Sequence, residues 1–312
     1  CVFLQAKHAR QLRLHISTPL NESLALSKVA GTKVYMKLDN TQPTGSFKMR
    51  GIGHFCNAGL AAAYAAQKLR IPATIMVPSS TPAFTIERLR EYGATVEVVG
   101  KVWDEANEQA VKLSKNNGWS YVSPFDHPWI WEGHSSLVRE LRGSLPTKPG
   151  AVVLSVGGGG LLCGVVQGLK EVGWSDVPVI AVETKGAESL NASVKAGQLV
   201  TLPDITSVAK SLGAKSVSKK ALETTLEYRV HSEVVTDCEA VRAVEKFLDD
   251  ERMLVEPACG ASLAAVYSGV VCRLQREGKL PSNLRSLVVI VCGGSGITVH
   301  QLQQYKQQLG LD

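Results

Sequence analysis

Short, largely apolar runs rich in β-branched residues alternate along the chain with amphipathic stretches. The runs Lys33–Leu38, Ala73–Val77, Thr95–Val99, Ala151–Val156, Val177–Val182 and Leu287–Val291 have the length and composition of strands buried on both faces. Between them apolar positions recur at helical spacing, which predicts helices over Ala83–Tyr92, Val102–Asn117, Leu161–Val172 and Cys238–Asp250, several closed by glycine or asparagine. Strands and helices in alternation predict an α/β fold with mostly parallel sheets.

The turn-rich stretch Asn116–Pro128, with Gly118, Pro124 and Pro128, is read as a crossing between two lobes. That gives a small domain over 40–128 and a large one built from 1–39 and 129–312. A chain of 312 residues can bury a core in each.

Lysine and arginine exceed the acids by only six, with no run of five like charges, and no apolar stretch approaches the length of a bilayer span. Neither nucleic acid nor a membrane is expected as a partner. Seven cysteines sit on apolar segments without a C-x-x-C pair, which argues against a zinc or disulfide framework and fits a reducing, cytoplasmic setting. The chain opens on Cys1 without a secretory pattern and is expected to have a trimmed or incomplete end.

Ligands of open α/β sheets bind at loops after the carboxyl ends of strands. Ala151–Val156 runs into Gly157, Gly158, Gly159 and Gly160, then into the apolar helix that starts Leu161-Leu-Cys-Gly. Glycines let backbone N–H groups close around an anion, and the positive end of the helix dipole favours a phosphate there. A tight turn explains one or two of the glycines but hardly four. A dinucleotide fingerprint also competes, since Gly158-x-Gly160-x-x-Cys163 nearly fits and Glu183 follows the next strand, but the third glycine is absent. A second strand, Ser286–Val291, opens into Cys292, Gly293, Gly294, Ser295 and Gly296. By itself Cys292 reads equally as a small core residue.

In Gln42-Pro-Thr-Gly-Ser-Phe-Lys-Met-Arg-Gly51, Ser46 is read as an N-cap with Lys48 in the first turn of a helix expected to run from Phe47 to Cys56. The helix dipole and the apolar neighbour Phe47 disfavour the ammonium form, and a neutral amine is what imine chemistry needs. Pro43 to Gly51 resembles the Schiff-base lysine motif of fold-type II pyridoxal-phosphate enzymes, in particular the serine/threonine dehydratases. Val156-Gly-Gly-Gly-Gly-Leu-Leu162, Val255-Glu-Pro-Ala-Cys-Gly260, Val291-Cys-Gly-Gly294, Ile130-Trp-Glu-Gly-His134 and Ile205-Thr-Ser-Val-Ala-Lys210 follow the same family in the same order, over nearly the whole chain.

The resemblance implies two open, twisted sheets, with the large domain binding pyridoxal 5'-phosphate, in a homodimer. It makes Lys48 the Schiff-base lysine and general base, with Phe47 on one face of the cofactor ring and Ser211 on the other. Gly157, Gly158, Gly159, Gly160 and Leu161 would hold the phosphate, Cys292 would face the ring nitrogen, and Asn57 would meet the cofactor. Glu183, with the backbone near Ala187 and Leu212, would bind a potassium ion. The implied reaction is β-elimination of an amino-acid substrate, L-serine to pyruvate and ammonia or L-threonine to 2-oxobutanoate and ammonia.

The chain departs from the family at one place. A Ser-x-Gly-Asn-x-Gly loop preceded by a strand is expected, yet only Asn57-Ala58-Gly59 stands directly after Cys56. One strand of the small domain therefore looks missing near residue 56. Loss of a central strand would leave its neighbours with unpaired backbone groups, which favours residues omitted from the sequence over a chain that truly lacks them. The second case would leave a non-catalytic or impaired relative without its substrate-carboxylate loop.

Overall fold

The structure is a computed structural model that describes residues 2–4, 14–52, 59–101, 103–117, 120–122 and 125–311. Its strands are β1 (Val2–Leu4), β2 (Leu20–Ser23), β3 (Lys33–Leu38), β4 (Thr74–Val77), β5 (Thr95–Val98), β6 (Ser120–Val122), β7 (Ala151–Ser155), β8 (Val179–Thr184), β9 (Val230–Val235) and β10 (Ser286–Val291). Its helices are α1 (Leu24–Ala30), α2 (Lys48–Ile52), α3 (Gly59–Leu69), α4 (Ala83–Glu91), α5 (Trp103–Asn117), α6 (Pro128–Ser144) and α7 (Gly160–Glu171) in the first half. The second half adds α8 (Ser189–Ala196), α9 (Lys219–Glu227), α10 (Asp237–Glu251), α11 (Pro257–Tyr267), α12 (Val270–Arg276) and α13 (Val299–Leu309).

Six strands form the larger sheet in the order β2-β3-β10-β7-β8-β9, all parallel except the edge strand β2. Every residue of β7, β8 and β10 is buried, which is why these segments read as unbroken apolar runs: helices cover both faces. Helix α11 is buried continuously from Pro257 to Val266 and lacks a polar face, as a helix packed on all sides must. This core fixes the mouths of β7 and β10, and with them the two glycine loops.

The smaller sheet has the order β5-β4-β1-β6. β4 and β5 are parallel, whereas β1 runs antiparallel to both its neighbours, with Val2 opposite Ile75 and Val2 to Leu4 opposite Val122 to Ser120. The sequence placed residues 1–39 with the large domain; β2 and β3 do join the large sheet, but β1 belongs to the small one. Among the described strands β1 lies between β4 and β6 and supplies backbone partners to both. The junction of Cys56 and Asn57 lies outside the described residues, as does the end of the helix expected from Phe47 to Cys56.

Candidate active site

Lys48 opens α2 where the sequence placed it. The loop leading to it is zipped against the end of β10: Phe47 N donates to Cys292 O at 2.9 Å, Gly294 N donates to Gly45 O at 3.1 Å, and Ser46 bridges Gly293. Gly45, at φ +74°, makes the turn that allows this approach, and a Cβ there would lie 2.8 Å from that of Ser295. Lys48 and Phe47 are both half-buried, and the lysine Nζ sits 4.9 Å from the centre of the Phe47 ring. Lys48 and Cys292 are thereby brought to one place from residues far apart in sequence.

The glycines after β7 are required by close packing as much as by conformation. A Cβ on Gly158 would lie 2.2 Å from the Phe125 ring, and one on Gly160 2.6 Å from the Phe125 carbonyl. Gly159 is the N-cap of α7 at φ +90°, with Ala221 filling the space a side chain would need. A Cβ on Gly157 would lie 3.1 Å from Leu212 Cα, so the loop abuts the Lys210–Leu212 turn that carries Ser211. Leu161 follows in the first turn of α7, whose leading N–H groups have no partner within the helix.

Ser211 Oγ donates a 2.6 Å hydrogen bond to Glu256 Oε2, an acid just before α11. Cys292 is buried beside Cys259, and its thiol is held well above the usual thiol range by that sulfur and by burial, so it is neutral at ordinary pH. Glu256 was quoted within a sequence motif but given no role, and Cys259 likewise. The signal available for both was their place on the Val255 to Gly260 turn.

Glu183 behaves differently from a free ligand. Its two oxygens accept from Leu190 N and Asn191 N, both at 2.8 Å, at the start of α8, and burial nevertheless pushes its carboxyl up to about 8. Ala187 and Leu212 are buried near this end of β8. Among the described residues no group of three or more histidine, cysteine or acidic side chains converges on a common point.

Beneath Lys48 lies a buried ionic cluster that the sequence did not disclose. Arg50 pairs with Asp39 and Glu140, Glu140 also holds Lys37 at 2.5 Å, and Thr18 bonds to Asp39. His134, from α6, packs against Phe47 with ring centres 5.0 Å apart and planes tilted by 52°, and burial with the nearby Arg50 and Lys48 charges drives its pKa down to about 3. It is a neutral imidazole whose Nδ1 has no hydrogen-bond partner.

A family profile described as pyridoxal-phosphate dependent enzyme matches residues 53–293. The chain belongs to that family. It is 62% identical to the mouse (Mus musculus) protein named L-serine dehydratase/L-threonine deaminase, over 97% of this chain and 98% of the relative. It is 60% identical to the human (Homo sapiens) serine dehydratase-like protein, over 98% of each. Among solved structures it superposes on a fungal L-serine ammonia-lyase from Rhizomucor miehei with a TM-score of 0.87 at 39% identity, covering 95% of this chain and 99% of the other. A threonine deaminase from Solanum lycopersicum gives 0.85 at 26% identity, covering 96% and 85%.

The mouse alignment spans 322 positions yet takes in 97% of 312 residues, about 303, so it opens about 19 positions at which this chain has no residue. That agrees with the departure seen after Cys56. The family assignment can be tested on the residues present, and they fit pyridoxal phosphate. A side-chain-free cradle at a helix N-terminus suits its phosphate, a half-buried lysine beside an aromatic ring suits its aldehyde, and a neutral thiol stands at a strand mouth. Lys48 lies five residues before the profile match, while Cys292 and Ser211 fall inside it. Asn57 falls outside the described residues.

Proposed function

We propose that this chain is an L-serine/L-threonine ammonia-lyase, converting L-serine to pyruvate and ammonia and L-threonine to 2-oxobutanoate and ammonia. One observation carries the reading: the Lys48 turn is hydrogen-bonded to the Cys292 strand end, in a family member whose 62% identical relative bears the dehydratase/deaminase name.

Bound pyridoxal phosphate supplies an electron sink conjugated to the substrate Cα. The chain supplies the rest. The α7 N-terminus and Gly157 to Gly160 would hold the phosphate, and Phe47, in contact with His134, would pack against the ring. Lys48 Nζ, once released, accepts the Cα proton as general base. Cys292, kept neutral, places no full charge at the ring nitrogen, which favours loss of the β-substituent over amino transfer.

The same reading includes a homodimer in the cytoplasm, with a role in amino-acid breakdown leading to gluconeogenesis. It also includes a potassium ion near Glu183, Ala187 and Leu212. A carboxyl lifted to about 8 by burial is one whose ionised form a monovalent cation would stabilise. A second reading, an impaired relative, is favoured by the roughly 19 absent positions and by β1 standing in the small sheet.

A visible spectrum of the chain with added pyridoxal phosphate, then borohydride reduction and peptide mapping, separates the two. Cofactor fixed on Lys48, together with pyruvate from serine and its loss in Lys48→Ala, is expected of the ammonia-lyase. Cofactor fixed on Lys48 without pyruvate would favour the impaired relative, and no fixed cofactor would overturn the ammonia-lyase and leave the non-catalytic relative as the leading reading.

A further inference from the structure

The proposed chemistry leaves one buried acid without work. Glu256 is 8% exposed and stands at the N-cap of α11, yet its side chain does not cap that helix. Oε2 takes the Ser211 hydroxyl at 2.6 Å, and the glycine loop after β10 closes over it. A Cβ on Gly293 would lie 2.9 Å from Oε1, and one on Gly296 2.9 Å from Oε2. The backbone is pinned as well, since Glu256 N donates to Gly293 O and its carbonyl accepts from Cys259 N and Gly260 N. At both positions the carboxylate occupies space that a side chain would need.

A carboxylate this deep is costly unless a positive charge or good donors face it. Ser211 supplies one neutral donor. The titratable groups that feel Glu256 are Cys292 at the end of β10, Cys259 on α11 and Tyr305 on α13. Cys292 feels Lys48 from its other side. Lys48 in turn faces His134 of α6 and shares α2 with Arg50. Of these, His134 stays neutral, Arg50 stays charged and Cys292 stays protonated over the range in which a cofactor is titrated. Lys48 lies on the site side of Cys292.

We infer that Glu256 is a positioning residue for the cofactor, holding the Ser211 hydroxyl with its proton turned away from the ring and setting a negative charge behind Cys292 that stabilises the protonated form of the bound cofactor. The inference rests on the cofactor reading above. Its logic is electrostatic: a neutral thiol contributes no charge at that end of the ring, and the carboxylate behind it acts through space. Ser211 is then the arm by which the acid touches the ring face.

The test is a pH titration of the visible band of the bound cofactor, with its dissociation constant from equilibrium dialysis, in the parent, Glu256→Gln, Glu256→Asp, Ser211→Ala and Cys259→Ser. Glu256→Gln keeps the shape and removes the charge, and its midpoint should fall by about one pH unit, with cofactor affinity several-fold weaker. Ser211→Ala keeps the charge, so its affinity should fall while the midpoint stays within about 0.3 unit. Glu256→Asp should recover most of the parent midpoint. Cys259→Ser removes a thiol that hydrogen bonds from Cys292 and Gly293 hold below its usual range against burial, and it should leave the midpoint in place.

A parent-like midpoint in Glu256→Gln overturns the inference, as does a midpoint that follows Cys259→Ser instead. Should Glu256→Gln fail to fold, Glu256→Asp decides: a midpoint displaced as far as one unit would mean the acid serves packing alone. A parent that gives no visible band with pyridoxal phosphate would bring down the proposed function and this inference together. A normal parent band with an unmoved variant would bring down this inference only.

Discussion

Arg50 Nε lies 2.7 Å from Asp39 Oδ2 and Arg50 Nη2 lies 2.9 Å from Asp39 Oδ1, a two-pronged pair with neither side chain exposed to solvent. Arg50 sits two residues beyond Lys48, Asp39 follows β3, and Glu140 on α6 closes the cluster from the far side. The pair therefore clamps the Lys48-bearing helix to both sheet and helix layers.

Breaking such a pair from one side leaves buried charge uncompensated, which costs about 3–5 kcal/mol. Arg50→Met should lose stability of that order in urea unfolding, because Asp39 and Glu140 would be left without their partner. Arg50→Lys should recover little, since an ammonium cannot serve both carboxylates with fixed forks. A loss below about 1 kcal/mol in Arg50→Met would mean that water or Lys37 compensates.

Glu183 gives a pH prediction of definite sign. Its folded carboxyl titrates at about 8, above its ordinary value of 4.5, so the folded state holds the proton more tightly than the unfolded chain. The stability contributed is full below pH 4.5 and is lost as pH rises through about 8. Without added potassium the melting temperature should fall between pH 4.5 and about 8, and Glu183→Gln should flatten that decline. Potassium should raise the melting temperature chiefly at the alkaline end. An equal effect of potassium on the Gln variant would remove Glu183 from the ion's site.

What the sequence disclosed was whatever lay close together in it. The Ala151 to Leu161 run carries strand, glycines and helix within one segment, and the structure reproduces it as β7, loop and α7. The Lys48 turn was legible in the same way. β9 was missed because it is a half-buried outer strand, with His231, Ser232 and Glu233 interrupting any apolar run. β1 was missed because three residues carry no periodicity. The Ser211 and Glu256 contact joins residues 45 apart, and Arg50 with Glu140 joins residues 90 apart. Such pairings are made by packing, so no local pattern announces them.

Gly159 tests whether the glycine loop serves conformation or ligand. Its φ of +90° and the Ala221 methyl both exclude a side chain. Gly159→Ala should cost about 1–3 kcal/mol of stability by overpacking and backbone strain, and should weaken pyridoxal phosphate binding. Ala221→Gly removes the methyl that crowds the site and, in the double variant, should return the packing part only. Full recovery of both stability and cofactor affinity would show that φ at this position is unimportant.

Under the proposed function Cys292 would decide the outcome of the chemistry. Its neutral thiol stands at the mouth of β10, next to Cys259 and within the field of Glu256. Cys292→Asp would put a second carboxylate into that space, and repulsion from Glu256 together with burial would lift its pKa. Where it ionises it would stabilise a protonated ring nitrogen, which favours amino transfer over loss of the β-hydroxyl. The variant should therefore make less pyruvate from serine and convert its cofactor to the amine form during turnover, increasingly so at higher pH. Cys292→Ser, neutral and of similar size, should keep elimination as the main course. Unchanged partition in Cys292→Asp, with the cofactor bound at parental affinity, would mean that Cys292 does not face the ring nitrogen and that the ring lies differently between Phe47 and Ser211.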